Sequence, residues 1–223
     1  MSSDREHSLS RPVLIVPGLF NSPVGHWQSH WQARLPTAER VEQSDWTRPR
    51  LGDWTAALAE AVRARPGALL VAHSLGCALV AHLCAISGGR GIGGALLVAP
   101  ADLNPGGPAG RLLEGFSPMP RRPLPFPTTV VASRTDPYVT FGRAEAFAAD
   151  WGARLVDLGD AGHINIVSGH GLWLDGLPHL YDLDRRVAVE TLIQIGRAHT
   201  FWPRYDGIRR HTVGYEPPLM GHS

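Results

Sequence analysis

The sequence predicts an α/β domain in which a parallel sheet of five to six strands is flanked by helices on both faces. Three observations predict it. Short, continuously apolar runs alternate with longer helical patterns along most of the chain. A turn of small residues around a serine sits where one such run gives way to a helical stretch. The 223 residues suit one domain, length over roughly 150 being a prior on domain number.

The runs Leu14-Ile15-Val16, Leu69-Leu70-Val71, Leu96-Leu97-Val98 and Val130-Val131 are apolar throughout, as strands covered on both faces must be. They centre strands predicted over Pro12 to Val16, Ala68 to Ala72, Gly94 to Val98 and Thr128 to Ala132. Another is expected over Arg154 to Leu158 and a shorter one near Arg40 to Gln43. Helices are predicted over His26 to Leu35, Leu51 to Arg65, Leu75 to Ile86 and Phe141 to Trp151. Strand and helix in alternation imply right-handed crossovers and a parallel sheet.

Residues 1–10 are polar and read as a flexible N-terminus, so the domain is expected over 11–182. The Gly- and Pro-rich stretch 101–127 is too long for an ordinary connection and reads as a lid-like excursion. Residues 183–223 read as an extension, with one helix around Val187, Leu192 and Ile195 followed by irregular chain.

Composition excludes several chemistries. The 21 basic residues, all arginine, stand against 20 acidic ones for a net charge of +1. No basic cluster suggests a nucleic-acid or membrane partner, and the absence of lysine removes Schiff-base chemistry. Cys77 and Cys84 fall in one predicted helix, about 10 Å apart along its axis, too far to bridge. With no apolar leader or spanning run, a cytoplasmic protein is expected. The sequence leaves the oligomeric state open.

The sharpest motif is Ala72-His73-Ser74-Leu75-Gly76, between a predicted strand and a predicted helix. It approximates G-x-S-x-G, a strained strand-to-helix turn that lifts a nucleophilic serine above the sheet. Ala72 and Gly76 are small enough to let strand and helix approach. The bland alternative for Ser74 is an ordinary helix N-cap. A serine needs a base, oriented in turn by a third group. In α/β-hydrolases the acid and then the histidine follow the serine, each after a later strand. Asp136 and His163 occupy those places. Asp160 is the alternative acid, and Asp157 lies inside a strand. His73, pointing to the face opposite Ser74, reads as a buried packing or hydrogen-bonding residue. His170 and His179 read as surface residues.

Acyl transfer also needs donors for the developing oxyanion. The backbone N–H of Leu75 is one candidate, and Leu19 N–H, ahead of Phe20, is the other. Gly18 marks where that loop must approach the substrate. A zinc site at His26 and His30 lacks the glutamate of H-E-x-x-H, so Trp27 and Trp31 are expected simply to pack on the sheet. The glycines between Ser87 and Gly94 precede a strand and read as a connector rather than a phosphate loop.

These residues resemble the small serine hydrolases related to retinoblastoma-binding protein nine. The likeness rests on Val16-Pro17-Gly18, Asn21-Ser22, His26-Trp27-Gln28, the Ser74 motif, Asp136-Pro137 and Gly162-His163-Ile164-Asn165. It implies a minimal α/β-hydrolase fold, no cofactor or metal, and a Ser74, Asp136, His163 triad. The implied substrate is a small-molecule carboxyl ester or amide. The alternative is a protein-binding module on a hydrolase scaffold with an idle triad. An Asp nucleophile, as in dehalogenation, is disfavoured by the serine at the turn.

Overall fold

The computed structural model describes residues 9–104, 113 and 115–200. Six strands form one sheet: β1 (Val13–Val16), β2 (Ala38–Arg40), β3 (Ala68–His73), β4 (Ile92–Val98), β5 (Thr128–Ala132) and β6 (Arg154–Asp157). Their order is β2-β1-β3-β4-β5-β6 and every neighbouring pair is parallel. Helices α1 (Trp27–Arg34), α2 (Leu51–Ala64), α3 (Leu75–Ser87) and α4 (Phe141–Asp150) connect strands, and α5 (Leu177–Thr200) follows a short 3-10 turn at Leu174–Gly176. This is the minimal α/β-hydrolase fold.

Alternate residues of each strand enter different cores, because successive side chains leave a strand on opposite faces. Leu14, Val16, Leu70, Ala72, Leu97 and Val130 pack under α2, α3 and α4, while Val13, Ile15, Leu69, Val71, Leu96 and Val131 pack under α1 and α5. The chain moves one way from β1 to β2 and the other way from β2 to β3. That reversal opens a crevice at the carboxyl ends of β1 and β3, where open α/β sheets bind ligands.

Two strands depart from expectation. The short strand falls at Ala38–Arg40 rather than Arg40 to Gln43, because Ala38 aligns with Val13 and the last bond to β1 is Val41 N–H to Ile15 O at 2.9 Å. β4 begins at Ile92, two residues earlier than predicted, where a Cβ on Gly93 would fall 2.3 Å from Gly67 O. Only glycine permits that approach, so the glycine run serves the close passage of two backbones.

The helix expected beyond residue 182 begins at Leu177, and α5 runs unbroken through the position where the sequence suggested the domain would end. Leu180, Leu183 and Val187 are buried against the sheet, and the Arg186 guanidinium bonds the Thr129 hydroxyl. Asp184 accepts from Ser10 N–H at 2.7 Å and pairs with Arg11 at 2.8 Å, which ties α5 to the entry of β1. Of the expected flexible N-terminus, residues 1–8 lie outside the described residues.

Of the stretch expected to be lid-like, residues 105–112 and 114 lie outside the described residues. Its flanks are core: Leu103, Phe116, Met119 and Leu124 are buried beneath α2, α3 and α4. Among the described residues no helix is long and apolar enough to cross a membrane.

Because Leu183 is fully buried, Leu183→Ala is expected to cost about 2–5 kcal/mol of unfolding free energy by urea denaturation. A loss within about 0.5 kcal/mol, as for a surface position, would mean that α5 is dispensable to the fold.

Candidate active site

Ser74 lies between β3 and α3 at φ 54° and ψ −120°, a strained conformation for a residue with a Cβ. Its side chain makes no capping bond, so the N-cap alternative does not describe it. Close packing of small residues holds the turn. A Cβ on Gly76 would fall 2.3 Å from Val16 O, and one on Gly18 would fall 3.0 Å from Ser74 Cβ. Ala72 is fully buried, between Val16 of β1 and Leu97 of β4.

Asp136 follows β5 and His163 follows β6. His163 Nδ1 lies 2.9 Å from Asp136 Oδ2 and 3.0 Å from Oδ1, both residues buried. The contact assigns the Nδ1 proton to donate to the carboxylate, leaving Nε2 as an acceptor. Tyr138 N–H also donates to Asp136 Oδ1 at 2.9 Å. The two loops are latched together: Ala161 N–H donates to Ser133 Oγ at 2.9 Å, Gly162 N–H to Thr135 Oγ1 at 3.1 Å and Arg134 N–H to Gly159 O at 2.8 Å. Asp157 is bound instead by Arg134, Asp160 is exposed, and His170 bonds Ser168.

His73 is buried and hydrogen-bonded, as expected, and it continues the Leu69 and Val71 face of β3 toward α1, where it meets Trp27 edge-on at 5.8 Å. Its ring sits 4.8 Å from that of His163 and its Nε2–H donates to His163 O at 2.9 Å. It therefore holds the backbone that carries His163. His26 lies 5.0 Å beyond His73 and caps α1, its Nδ1 accepting from Gln28 N–H at 3.2 Å.

The loop after β1 is pinned from several sides. Phe20 N–H is engaged by Trp46 O at 2.9 Å. Leu19 N–H and Leu75 N–H make no backbone bond among the described residues, and both residues border the same cavity. Gln28 reaches Val71 O at 2.9 Å and Val16 O at 3.3 Å, and Trp27 Nε1–H donates to Ile164 O at 2.9 Å. The His26-Trp27-Gln28 motif thus stitches α1 to the strand ends and to the His163 loop, while Trp27 and Trp31 pack on the sheet. Sequence reasoning missed Arg40, which binds Asn21 Oδ1 at 2.6 Å, Ser22 O at 2.9 Å and Ser29 Oγ at 2.8 Å. One arginine on an edge strand carries no sequence signal.

Ser74 and His163 border a cavity of about 360 Å³ together with Leu19, Phe20, Leu75 and Tyr138. Among the described residues no group of three His, Cys, Asp or Glu is placed to hold a metal. Both cysteines are free, and burial pushes the Cys84 thiol up to about 12 and that of Cys77 higher.

Burial, with Arg40 and His163 nearby, lowers His26 to about 4, and burial holds His73 well below the ordinary histidine range. The unfolded chain binds these protons near pH 6.5, so the stabilisation is complete above that pH and is lost as pH falls toward 4. For His26 alone the loss between pH 7 and 5 is about 2 kcal/mol. Urea titrations should show His26→Asn, which keeps a capping acceptor, losing correspondingly less over that interval; an unchanged slope would refute the assignment.

A YdeN-like hydrolase from Pectobacterium atrosepticum is 35% identical and superposes with a TM-score of 0.70, over 79% of this chain and 91% of its own. The ydeN gene product of B. subtilis, 23% identical, superposes at 0.64 over 81% of this chain and 100% of its own. Thermogutta terrifontis esterase 2, 18% identical, shares the fold at 0.58 over 86% of this chain and 85% of its own. No curated protein matches the chain. A family model described as serine hydrolase matches residues 13–182, nearly the whole described domain, and the chain belongs to that serine hydrolase family.

Proposed function

We propose that the protein is a cofactor-independent carboxylesterase-like hydrolase, akin to the small hydrolases related to retinoblastoma-binding protein nine, acting on a small-molecule ester or amide in the cytosol. The observation that carries this reading is the buried Asp136–His163 hydrogen bond of 2.9 Å behind a cavity bordered by both His163 and the strained Ser74. The free thiols of Cys77 and Cys84 support the compartment.

Ser74 Oγ attacks the substrate carbonyl carbon while its proton passes to His163 Nε2, and the carbonyl π pair moves onto oxygen. Asp136 holds the imidazole by Nδ1–H and stabilises the imidazolium. Leu19 N–H and Leu75 N–H receive the oxyanion, each donor worth roughly 3 kcal/mol in the transition state. Collapse expels the alcohol or amine, which takes the proton from His163. Water then gives its proton to His163, attacks the acyl-enzyme and releases the acid, and Ser74 regains its hydrogen.

Labelling by a fluorophosphonate tests the nucleophile, a choice encouraged by the capture of Thermogutta terrifontis esterase 2 phosphonylated by cyclosarin. Ser74→Ala is expected to abolish labelling and esterase turnover; labelling that persists would overturn the assignment. An idle triad, as in a binding module, would leave the wild type unlabelled. Asp136→Asn is expected to lower kcat by about 10⁴-fold, since the wrong tautomer would face Ser74. Gly18→Ala, whose Cβ would meet His73 O and Ser74 Cβ at 3.0 Å, is expected to cost about 10²-fold in kcat by displacing an oxyanion donor.

A further inference from the structure

We infer that the cavity selects uncharged esters that are apolar on both sides of the carbonyl. This inference rests on the hydrolase reading above. The side-chain oxygens of Asn21 and Asn165 and the Nε2 of His73, all on the cavity wall, are already bound within the protein. Asn21 Oδ1 accepts from Ser22 N–H at 2.7 Å and from Arg40 at 2.6 Å. Asn165 Oδ1 accepts from Ser168 N–H at 3.2 Å, and His73 Nε2–H is held by His163 O. Among the described residues no Arg, Asp or Glu borders the cavity, and burial keeps His26 neutral at pH 7. A charged substrate group would therefore lose its water and meet no opposite charge among the described lining residues, at considerable free-energy cost.

The two walls can be assigned from the reaction. The leaving oxygen must take a proton from His163, so the alcohol lies against the His163 loop, where Ile166 and Val167 border the cavity. The acyl group lies on the other wall, formed by Leu19, Ala101 and Leu113, residues of the core beneath α2, α3 and α4. Both walls are apolar. The mouth continues the same chemistry: Phe20 is 66% exposed and Val167 95% exposed.

Matched neutral and charged esters test this, one pair for each wall. For the alcohol wall the pair is 3,3-dimethylbutyl butyrate and butyrylcholine, alike in shape and different in charge. For the acyl wall it is p-nitrophenyl heptanoate and mono-p-nitrophenyl adipate. The neutral member is expected to have a kcat/KM about 100-fold higher in each pair, because a buried unpaired charge costs several kcal/mol. Equal values, or preference for the charged member of either pair, would overturn the inference. Ile166→Asp, at a half-exposed position, is expected to shift the alcohol-wall ratio toward butyrylcholine by about fivefold or more; an unmoved ratio would place the alcohol elsewhere and overturn the wall assignment. Fluorophosphonate labelling of the wild type separates the two readings. An unlabelled Ser74 defeats the hydrolase proposal itself, whereas a labelled Ser74 with no charge discrimination defeats only this one.

Discussion

The close approach of two backbone segments at the carboxyl ends of β1 and β3 is the constraint from which the rest of the site follows. Gly76 brings the first turn of α3 against Val16 O and Pro17 O, and Gly18 brings the loop after β1 against Ser74 and Leu75 N. Neither contact leaves room for a Cβ without displacement. The contacts lift Ser74 out of the sheet at positive φ. They also set Leu19 and Leu75 on one cavity, and the N–H of Leu75, in the first turn of α3, has no partner inside the helix. One packing relation thus sets both the strained serine and the candidate donors.

Around that contact the molecule uses buried hydrogen bonds to hold loops that carry little regular structure. Gln28 bridges β1 and β3, Trp27 holds Ile164 O, Arg40 gathers Asn21 and Ser22, and Ser133 latches the loop after β5 to the loop after β6. Each bond is worth only about 1 kcal/mol net, but losing one partner of a buried pair costs more. The stack of His26, His73 and His163 belongs to the same scheme. His26 and His73 are kept uncharged by burial, which makes them dependable single-proton donors and acceptors at neutral pH but a source of instability in acid.

Side-chain oxygens committed to this scaffolding are less available to a ligand, so the cavity wall offers fewer acceptors than its residue names suggest. Asn21 and Asn165 would suggest a polar pocket from sequence, yet their carbonyl oxygens are already occupied.

The sequence by itself determined the elements and their order. Periodicity is local, so the runs around Leu14, Leu69, Leu96 and Val130 located β1, β3, β4 and β5 to within two residues, and the order Ser74, Asp136, His163 after successive strands was visible for the same reason. Tertiary structure decided everything that depends on residues far apart in the chain. It bonded His163 to Asp136 and left Asp160 exposed. It set the His73 ring beside that of His163, and it engaged Phe20 N–H with Trp46 O. It also recruited Arg40 and extended the folded core along α5 to Val187. These outcomes turn on packing across the sheet ends, where a side chain's reach and a loop's path matter more than its periodicity, and no local pattern encodes them.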